Sequence, residues 1–300
     1  MYNQKMTITP PKLLPGDTIG IMAPSSRANK GNIEKLEALL VKRGYKVFIH
    51  PQTFLTHHQS AGTGMEKAAA FHDLLRRKDI KAIFFSNGGN RACTMLEHLN
   101  FDRIAANPKI IMGYSDITAL LNAIHTKTGL VTYHGPMARS FLSLPKKQID
   151  QCFDLLEGKA KTLDMPKAKI LKSGTAKGHL IGGNLSVLCS LLGTPYQPDF
   201  KNAILFLEDI AEETSHIDRY LWQLRNAGAL HQIKALILGS FTDLKDTGKT
   251  KYGFSLKDCI EAVTDQKIPI LMNAPFGHGK DLYTLPVGAT AKLSDKTFKF

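Results

Sequence analysis

The stretch Lys109-Ile110-Ile111-Met112-Gly113-Tyr114-Ser115-Asp116-Ile117-Thr118 indicates how the chain is organised. Its apolar run is typical of a buried strand, and the run ends at Gly113, just before a predicted helix over 116–127. Ser115 therefore lies on a strand-to-helix turn, where its hydroxyl would project over the carboxyl end of a sheet. Backbone N–H groups and the positive helix terminus favour a developing negative charge there. Alternatively, Ser115 only caps the helix, a common role for serine.

The turn is similar to the nucleophile elbow G-x-S-x-G of serine hydrolases, in which a strained turn presents the serine hydroxyl. Gly113 matches the first glycine, whereas Ile117 stands where the second would be. The stretch therefore favours a nucleophilic Ser115 without excluding the capping role.

The N-terminal half alternates short apolar strands with amphipathic helices. After a first buried strand within 13–26, the pattern predicts strands over 45–49, 80–85 and 109–112, and helices over 32–43, 65–76 and 92–99. This alternation is typical of a parallel sheet covered on both faces. We therefore predict a flavodoxin-like α/β domain over residues 1–158, which carries the serine.

Three loops follow strands of this predicted sheet, at the edge where ligands of α/β proteins bind. They are Ala23-Pro24-Ser25-Ser26, Asn87-Gly88-Gly89-Asn90 and Gly113-Tyr114-Ser115-Asp116. The double glycine would let a backbone N–H approach a substrate oxygen, or it forms a plain tight turn. A dinucleotide site is disfavoured because G-x-G-x-x-G is absent.

The pattern changes at 158–162, which we interpret as a linker. Strands are then predicted over 169–171, 203–207, 235–239 and 269–272, and the tail over 285–300 alternates as antiparallel strands do. We therefore predict a smaller, β-rich C-terminal domain over residues 159–300.

Composition limits the classes of partner. The net charge is +13, but the basic residues are scattered without interleaved aromatic residues, which favours a solvated surface over a nucleic-acid site. No stretch approaches the roughly 20 apolar residues of a membrane helix, and the N-terminus lacks the apolar core of a signal peptide. We expect a cytoplasmic protein with no membrane and no nucleic-acid partner.

Metal and thiol chemistry are disfavoured as well. The four cysteines are far apart and form no C-x-x-C pair, so buried free thiols are expected. The chain contains no H-E-x-x-H motif and no acidic cluster that would hold a cation. The expected cofactor set is therefore empty.

A reactive serine needs a base, and that base needs a carboxylate to orient it. Glu208 and Asp209 end a predicted buried strand, where an acid needs a partner or caps a helix. His278 lies between two glycines, which gives its ring room. His134 is a second possible base, although a histidine beside a Gly-Pro turn more often has a structural role.

Together these motifs resemble the LD-carboxypeptidase family of serine peptidases. The resemblance rests on Gly113-Tyr114-Ser115-Asp116, Leu207-Glu208-Asp209 and Gly277-His278-Gly279, and it extends through Pro15-Gly16-Asp17, Ala23-Pro24-Ser25-Ser26, Asn87-Gly88-Gly89, His134-Gly135-Pro136 and Gly182-Gly183-Asn184-Leu185. It covers nearly the whole chain in the family's order and approximate spacing.

The resemblance implies a nucleophile at Ser115, a base at His278, an orienting acid at Glu208, and oxyanion donors at the N–H groups of Gly89 and Asp116. It implies an α/β domain followed by a β-rich domain, with the site in the cleft between them, and a homodimer. The implied reaction is removal of terminal D-alanine from cytoplasmic murein tetrapeptides.

The glycine turn departs from the family pattern. The common turn reads Gly-Gly-Tyr-Gly, whereas this chain has Gly88-Gly89-Asn90-Arg91. The form Ser86-Asn87-Gly88-Gly89 is closer to a sister branch that resembles the microcin C self-immunity peptidases, which cleave aminoacyl nucleotides. A third interpretation, from a different class, is a non-catalytic two-domain protein that binds an anion or another ligand.

Overall fold

The computed structural model describes residues 6–264 and 268–300, which form two compact units. The first unit comprises the chain up to Lys161 together with Tyr283–Ala289, and the second comprises Thr162–Leu282 and Thr290–Phe300. The chain therefore returns to the first unit near its end. The predicted domain of residues 159–300 includes this returning segment, because alternation within a strand does not reveal which strand it pairs with.

The bounds of the elements are as follows. The strands of the described residues are β1 (Thr18–Met22), β2 (Lys46–Ile49), β3 (Ile80–Phe85), β4 (Ile110–Gly113), β5 (Thr132–His134), β6 (Thr162–Asp164), β7 (Lys169–Lys172), β8 (Thr175–Asn184), β9 (Ile204–Ile210), β10 (Ala235–Thr242), β11 (Ile270–Met272), β12 (Leu285–Val287), β13 (Thr290–Ser294) and β14 (Thr297–Lys299). The α-helices are α1 (Lys30–Lys42), α2 (Gly64–Arg76), α3 (Phe101–Ala106), α4 (Thr118–Thr128), α5 (Ala138–Phe141), α6 (Lys146–Leu156), α7 (Leu185–Cys189), α8 (Thr214–Asn226) and α9 (Leu256–Val263). Short 3₁₀ helices span Pro51–Phe54, Ala92–His98 and Ser115–Ile117.

The sheet of the first unit has the strand order β12-β5-β4-β3-β1-β2. Strands β1 to β5 are parallel in the order 2-1-3-4-5, which is the order of flavodoxin-like folds. The predicted α/β fold class is therefore confirmed. Strand β12 adds to this sheet antiparallel to β5, with Leu285 opposite His134.

Helix α2 shows how local sequence positions the loops of this unit. Thr63 and Glu66 form a capping box at its start, which satisfies backbone donors of the first turn. Phe71 and Leu74 on one face are buried in the unit. The start of α2, where the chain leaves the loop at Ser60, is thus held in place.

The second unit contains an eight-stranded mixed sheet of order β6-β14-β13-β8-β9-β10-β11-β7. Its centre, β8 to β11, is parallel, and antiparallel strands flank it. Apolar residues of β9 and β10, such as Leu205 and Leu236, form a buried cluster with Leu221 of α8 and Ile260 of α9. The predicted β-rich second region is therefore confirmed as a mixed sheet with a parallel centre.

Some elements differ from the sequence-based predictions. The helix predicted over 92–99 is a 3₁₀ helix, and the helix predicted over 116–127 begins with a 3₁₀ turn before α4. The apolar spacing also predicts helices over 146–156, 185–192 and roughly 215–227, which are α6, α7 and α8. Helices α3, α5 and α9 were not predicted, and Thr162, assigned to the linker, begins β6. Within the described residues, no helix is long and apolar enough to cross a membrane.

We predict that Gly182→Ala destabilises the second unit. Gly182 has φ +137°, and a Cβ there would lie 1.8 Å from the carbonyl oxygen of Phe206 on the neighbouring strand. Strain and displaced backbone should lower the free energy of unfolding by at least about 2 kcal/mol, measured by urea denaturation. Gly193→Ala is the control, because Gly193 also has a positive φ, +75°, but a Cβ there meets nothing within 4 Å, so the comparison isolates the clash. Equal losses for the two variants would contradict this account.

Candidate active site

Ser115 occupies a strained turn at the carboxyl end of β4. Its φ is +64°, in the left-handed region that non-glycine residues seldom adopt. No side-chain hydrogen bond caps the 3₁₀ helix that Ser115 begins, and none caps α4. The capping interpretation of Ser115 is therefore wrong, and strain of this kind is typical of residues held for function.

The double-glycine turn lies directly beside Ser115. A Cβ placed on Gly88 would lie 3.0 Å from both Cβ and Oγ of Ser115. Gly89 has φ +124°, and a Cβ there would lie 1.9 Å from Oγ of Ser26. Any side chain at Gly89 would clash with Ser26, so the turn needs glycine for its close approach. The three predicted loops of this unit thus converge.

The side chain of Asp116 connects those loops. Its buried Oδ2 accepts hydrogen bonds from Oγ of Ser25 and, at 2.9 Å, from the N–H of Ala92. Burial raises the pKa of Asp116, while these two hydrogen bonds act in the opposite direction. The main-chain N–H of Asp116 belongs to the first turn after β4, where helical N–H groups lack intrahelical acceptors. The side chain of Asp116 therefore connects the loops, and its main-chain N–H is a separate candidate hydrogen-bond donor.

Glu208 and His278 form a buried pair within the second unit. Nδ1 of His278 lies 2.6 Å from Oε2 of Glu208, and the two side chains are 14% and 0% exposed. Glu208 lies in β9, and the segment before His278 is aligned on β10 because the N–H of Ser240 donates to the carbonyl of Phe276 at 2.9 Å. With Nδ1 assigned as the donor to the carboxylate, Nε2 is the basic nitrogen of the ring.

The environment of His278 favours its protonated form. Burial by itself lowers the pKa of His278, but the hydrogen bond and charge of Glu208, with a contribution from Asp209, outweigh that effect. The net result is a pKa above the ordinary value of histidine. A group with these properties can accept a proton from a hydroxyl and keep it while the carboxylate stabilises the cation.

Asp209 has a structural task, unlike its neighbour Glu208. Its carboxylate accepts hydrogen bonds from Nδ2 of Asn184 at 2.8 Å and from the N–H of Ser186 and of Ile210 at 2.9 Å each. It thereby connects the start of α7 to β9. Of the two arrangements expected for this acidic pair, Glu208 has a side-chain partner in His278, and Asp209 caps the first turn of α7.

A pocket of about 360 Å³ in the second unit is lined in part by Gly279, the residue that follows His278 in the chain. Its lining includes Ser240 and Thr242 at the carboxyl end of β10 and Asn273 directly after β11, together with Lys280. Ligands of parallel sheets bind at this edge. The sequence offered little sign of the pocket, since its residues come from three separate segments.

The other candidate groups that the sequence offered are His134, the cysteines and possible metal ligands. His134 is fully buried in β5, with its ring edge-on to Tyr114 at 5.9 Å between centroids. All four cysteines are free thiols, of which Cys93 is exposed. Throughout residues 6–264 and 268–300, no three His, Cys, Asp or Glu side chains are grouped to hold a metal ion.

One buried residue of the first unit, Lys67, was not identified from the sequence. Lys67 is 0% exposed, and its Nζ donates to Oγ of Ser60 at 3.0 Å and to the carbonyl of Arg91 at 2.8 Å. Its spacing from Phe71 and Leu74 places it on the apolar face of α2. A lysine in phase with an apolar stripe was the available signal.

These features define a class of protein. A flavodoxin-like unit presents a serine on a strained strand-to-helix turn, and a second unit holds a buried Glu–His pair, as in serine-type hydrolases. Comparisons with known proteins then identify the family. The models of the LD-carboxypeptidase N-terminal and C-terminal domains match residues 19–135 and 177–293. The chain belongs to the LD-carboxypeptidase family.

Individual relatives cover almost the whole chain. A probable murein peptide carboxypeptidase of Bacillus subtilis (strain 168) is 34% identical over 95% of this chain and 91% of its own length. A muramoyltetrapeptide carboxypeptidase structure from Oxalobacter formigenes has TM-score 0.82 at 28% identity and covers 94% of this chain and 97% of that one. A structure of MccF in complex with glutamyl sulfamoyl guanosine has TM-score 0.88 at 28% identity, with 97% of each chain covered.

We predict that Glu208→Gln lowers the pKa of His278. Glutamine lacks the charge and the carboxylate acceptor that raise this pKa, whereas the burial that lowers it remains. The measurement is an NMR titration of the His278 ring in both proteins, with the signal assigned by its loss in His278→Gln. An unchanged or higher pKa in Glu208→Gln would contradict the pairing.

Proposed function

We propose that the protein is a serine LD-carboxypeptidase that removes terminal D-alanine from murein tetrapeptides. The observation that carries the proposal is the strained φ of +64° at Ser115, beside the Gly88–Gly89 turn. The buried Glu208–His278 pair supplies the base that such a serine requires. The substrate class is supported by relatives whose names specify murein peptides.

The proposed residue roles follow the chemistry of acyl transfer. His278 accepts the proton of the Ser115 hydroxyl, and Oγ bonds to the carbonyl carbon of the scissile amide. The N–H groups of Gly89 and Asp116 donate to the resulting oxyanion. When the C–N bond breaks, His278 gives its proton to the leaving amine, which departs as D-alanine. Water, deprotonated by His278, then hydrolyses the acyl-enzyme and restores Ser115.

A second substrate class is an aminoacyl nucleotide. The turn Ser86-Asn87-Gly88-Gly89-Asn90 lacks the aromatic residue common in the family, and a solved structure of MccF holds glutamyl sulfamoyl guanosine. The same residues would attack the aminoacyl carbonyl of such a compound. We place the murein tetrapeptide first because the relative at 34% identity is named for murein peptides.

The proposal also covers the cellular compartment and the oligomeric state. We infer that the enzyme acts on cytoplasmic peptides released from murein, and that it works as a homodimer. Both inferences are supported by the family resemblance, and the second is checked by light scattering on the purified protein.

We predict that Ser115→Ala abolishes D-alanine release from L-Ala-γ-D-Glu-meso-Dap-D-Ala. Removal of a serine nucleophile costs roughly 10⁶-fold in kcat, because the remaining groups cannot form the acyl-enzyme. Released D-alanine is quantified for wild type and variant side by side, with circular dichroism to confirm folding. A fully active variant would refute the assignment of Ser115. If folded wild type releases nothing, aminoacyl sulfamoyl nucleotides become the next substrates.

We predict a smaller loss for Glu208→Gln, about 10⁴-fold in kcat, because its role is to orient His278 and support its charge. In wild type, the acid limb of kcat/KM should lie above pH about 6.5, since the base must be neutral and its pKa is raised. In Glu208→Gln the lower pKa of His278 should move this limb to lower pH. A limb that stays in place would remove Glu208 from the site.

A further inference from the structure

The mechanism above makes no use of Lys67, although this lysine is fully buried. An ammonium group loses favourable hydration in a protein interior, and hydrogen bonds and a nearby charge must compensate for that loss. Its hydrogen bonds go to the neutral oxygens of Ser60 and Arg91. Burial lowers its pKa, and the charge of Asp116 opposes that shift. Because burial of an ammonium group is unfavourable, the groups to which Lys67 donates indicate what this residue does.

Lys67 holds a strained backbone. Its acceptor Arg91 has φ +76°, a left-handed conformation that residues other than glycine seldom adopt. The same carbonyl also accepts from Oγ1 of Thr94 at 2.8 Å, but that threonine is partly exposed whereas Lys67 is buried. The preceding carbonyl, that of Asn90, accepts from Oγ of Ser25 at 2.9 Å. Two consecutive carbonyls after Gly89 are therefore held by buried donors, and such strain persists only where the surroundings determine it.

The same network reaches the serine turn. Oγ of Ser60, which accepts from Lys67, donates to the carbonyl of Ser25 at 3.3 Å. Oγ of Ser25 also contacts the carboxylate of Asp116, the residue after Ser115, so its single hydroxyl proton is shared between that carboxylate and the carbonyl of Asn90. One end of the network thus holds the turn that contains Gly89, and the other holds Asp116.

We propose that Lys67 is a positioning residue that fixes the turn 89–91, so that the Gly89 N–H is already aimed at the developing oxyanion. The proposal rests on the function proposed above. It predicts that loss of the ammonium group misplaces an oxyanion donor without removing the nucleophile, the base or the substrate contacts. Errors of about 1 Å in such donors cost on the order of 100-fold in rate.

The test is Lys67→Met, which retains the length and apolar stem of the side chain. We expect kcat for D-alanine release to fall about 100-fold while KM stays within about threefold of wild type. The rate at which a fluorophosphonate labels Ser115 should fall by a similar factor, because the phosphonylation transition state uses the same donors. This second readout needs no murein substrate.

Lys109→Met is the matched control. Lys109 is 7% exposed, and its Nζ donates to the carbonyls of Arg77 at 2.7 Å and Ile80 at 2.5 Å. It therefore has the same chemistry at the opposite, amino-terminal edge of β3. Lys109→Met should lose stability with kcat and labelling within about twofold of wild type. Equal loss of activity in both variants would assign Lys67 a general structural role and overturn the proposal.

Arg91→Gly provides a variant in which the turn needs less support, because glycine adopts φ +76° without strain. If Lys67→Met does not fold alone, the double variant Lys67→Met/Arg91→Gly should be soluble and recover labelling of Ser115. A double variant that also fails to fold or to react would overturn the proposal. If wild type is labelled but releases no D-alanine, the proposed substrate fails, and the labelling rates still decide the role of Lys67.

Discussion

The left-handed backbone of Ser115 is the constraint on which the first unit's site depends. An L-residue pays about 1–2 kcal/mol for this conformation, so neighbouring interactions must stabilise it. The carboxylate of Asp116 supplies them by accepting from Ser25, in one of the other loops at this edge of the sheet, and from Ala92, which begins the 3₁₀ helix after the double-glycine loop. The proposed nucleophile is therefore supported by a buried polar network, of which Lys67 is the most remote member.

In the second unit, a hydrogen bond likewise stabilises an otherwise unfavourable state, here a buried carboxylate. A carboxylate buried as completely as Glu208 needs a strong partner, and the 2.6 Å hydrogen bond to His278 is that partner. The interaction raises the pKa of His278 and selects Nε2 as the basic nitrogen. Asp209, one residue away, is satisfied by three donors that secure β9 to the start of α7. This division allows one acid to act on the base while its neighbour stabilises the strand.

Local sequence signals were sufficient where a residue's role depends on its immediate neighbours. The strand of 80–85 was predicted with its observed bounds and the helix of 65–76 to within one residue, because each shows a clear apolar pattern. The strand, glycine and helix around Ser115 likewise predicted a turn at the edge of a sheet. The acid and histidine were selected because a serine needs both, and the structure brings Glu208 and His278 together.

Long-range pairing was the part that local patterns could not provide. The alternation over 285–287 predicted a strand, but its partner β5 lies some 150 residues away in sequence and belongs to the first unit. Lys67 was missed because a charged side chain is ordinarily expected to reach solvent, even where its spacing places it on the apolar face of a helix. Its acceptors, Ser60 and Arg91, come close to it only through the fold of two separate loops.

The central claim is that Ser115 is a nucleophile activated by His278. It is tested most directly by mass spectrometry of the protein after reaction with a fluorophosphonate, comparing wild type with His278→Ala. The account predicts one adduct on the peptide that contains Ser115 in wild type, and almost none in the variant. An adduct on another residue, or equal labelling of Ser115 in both proteins, would contradict it.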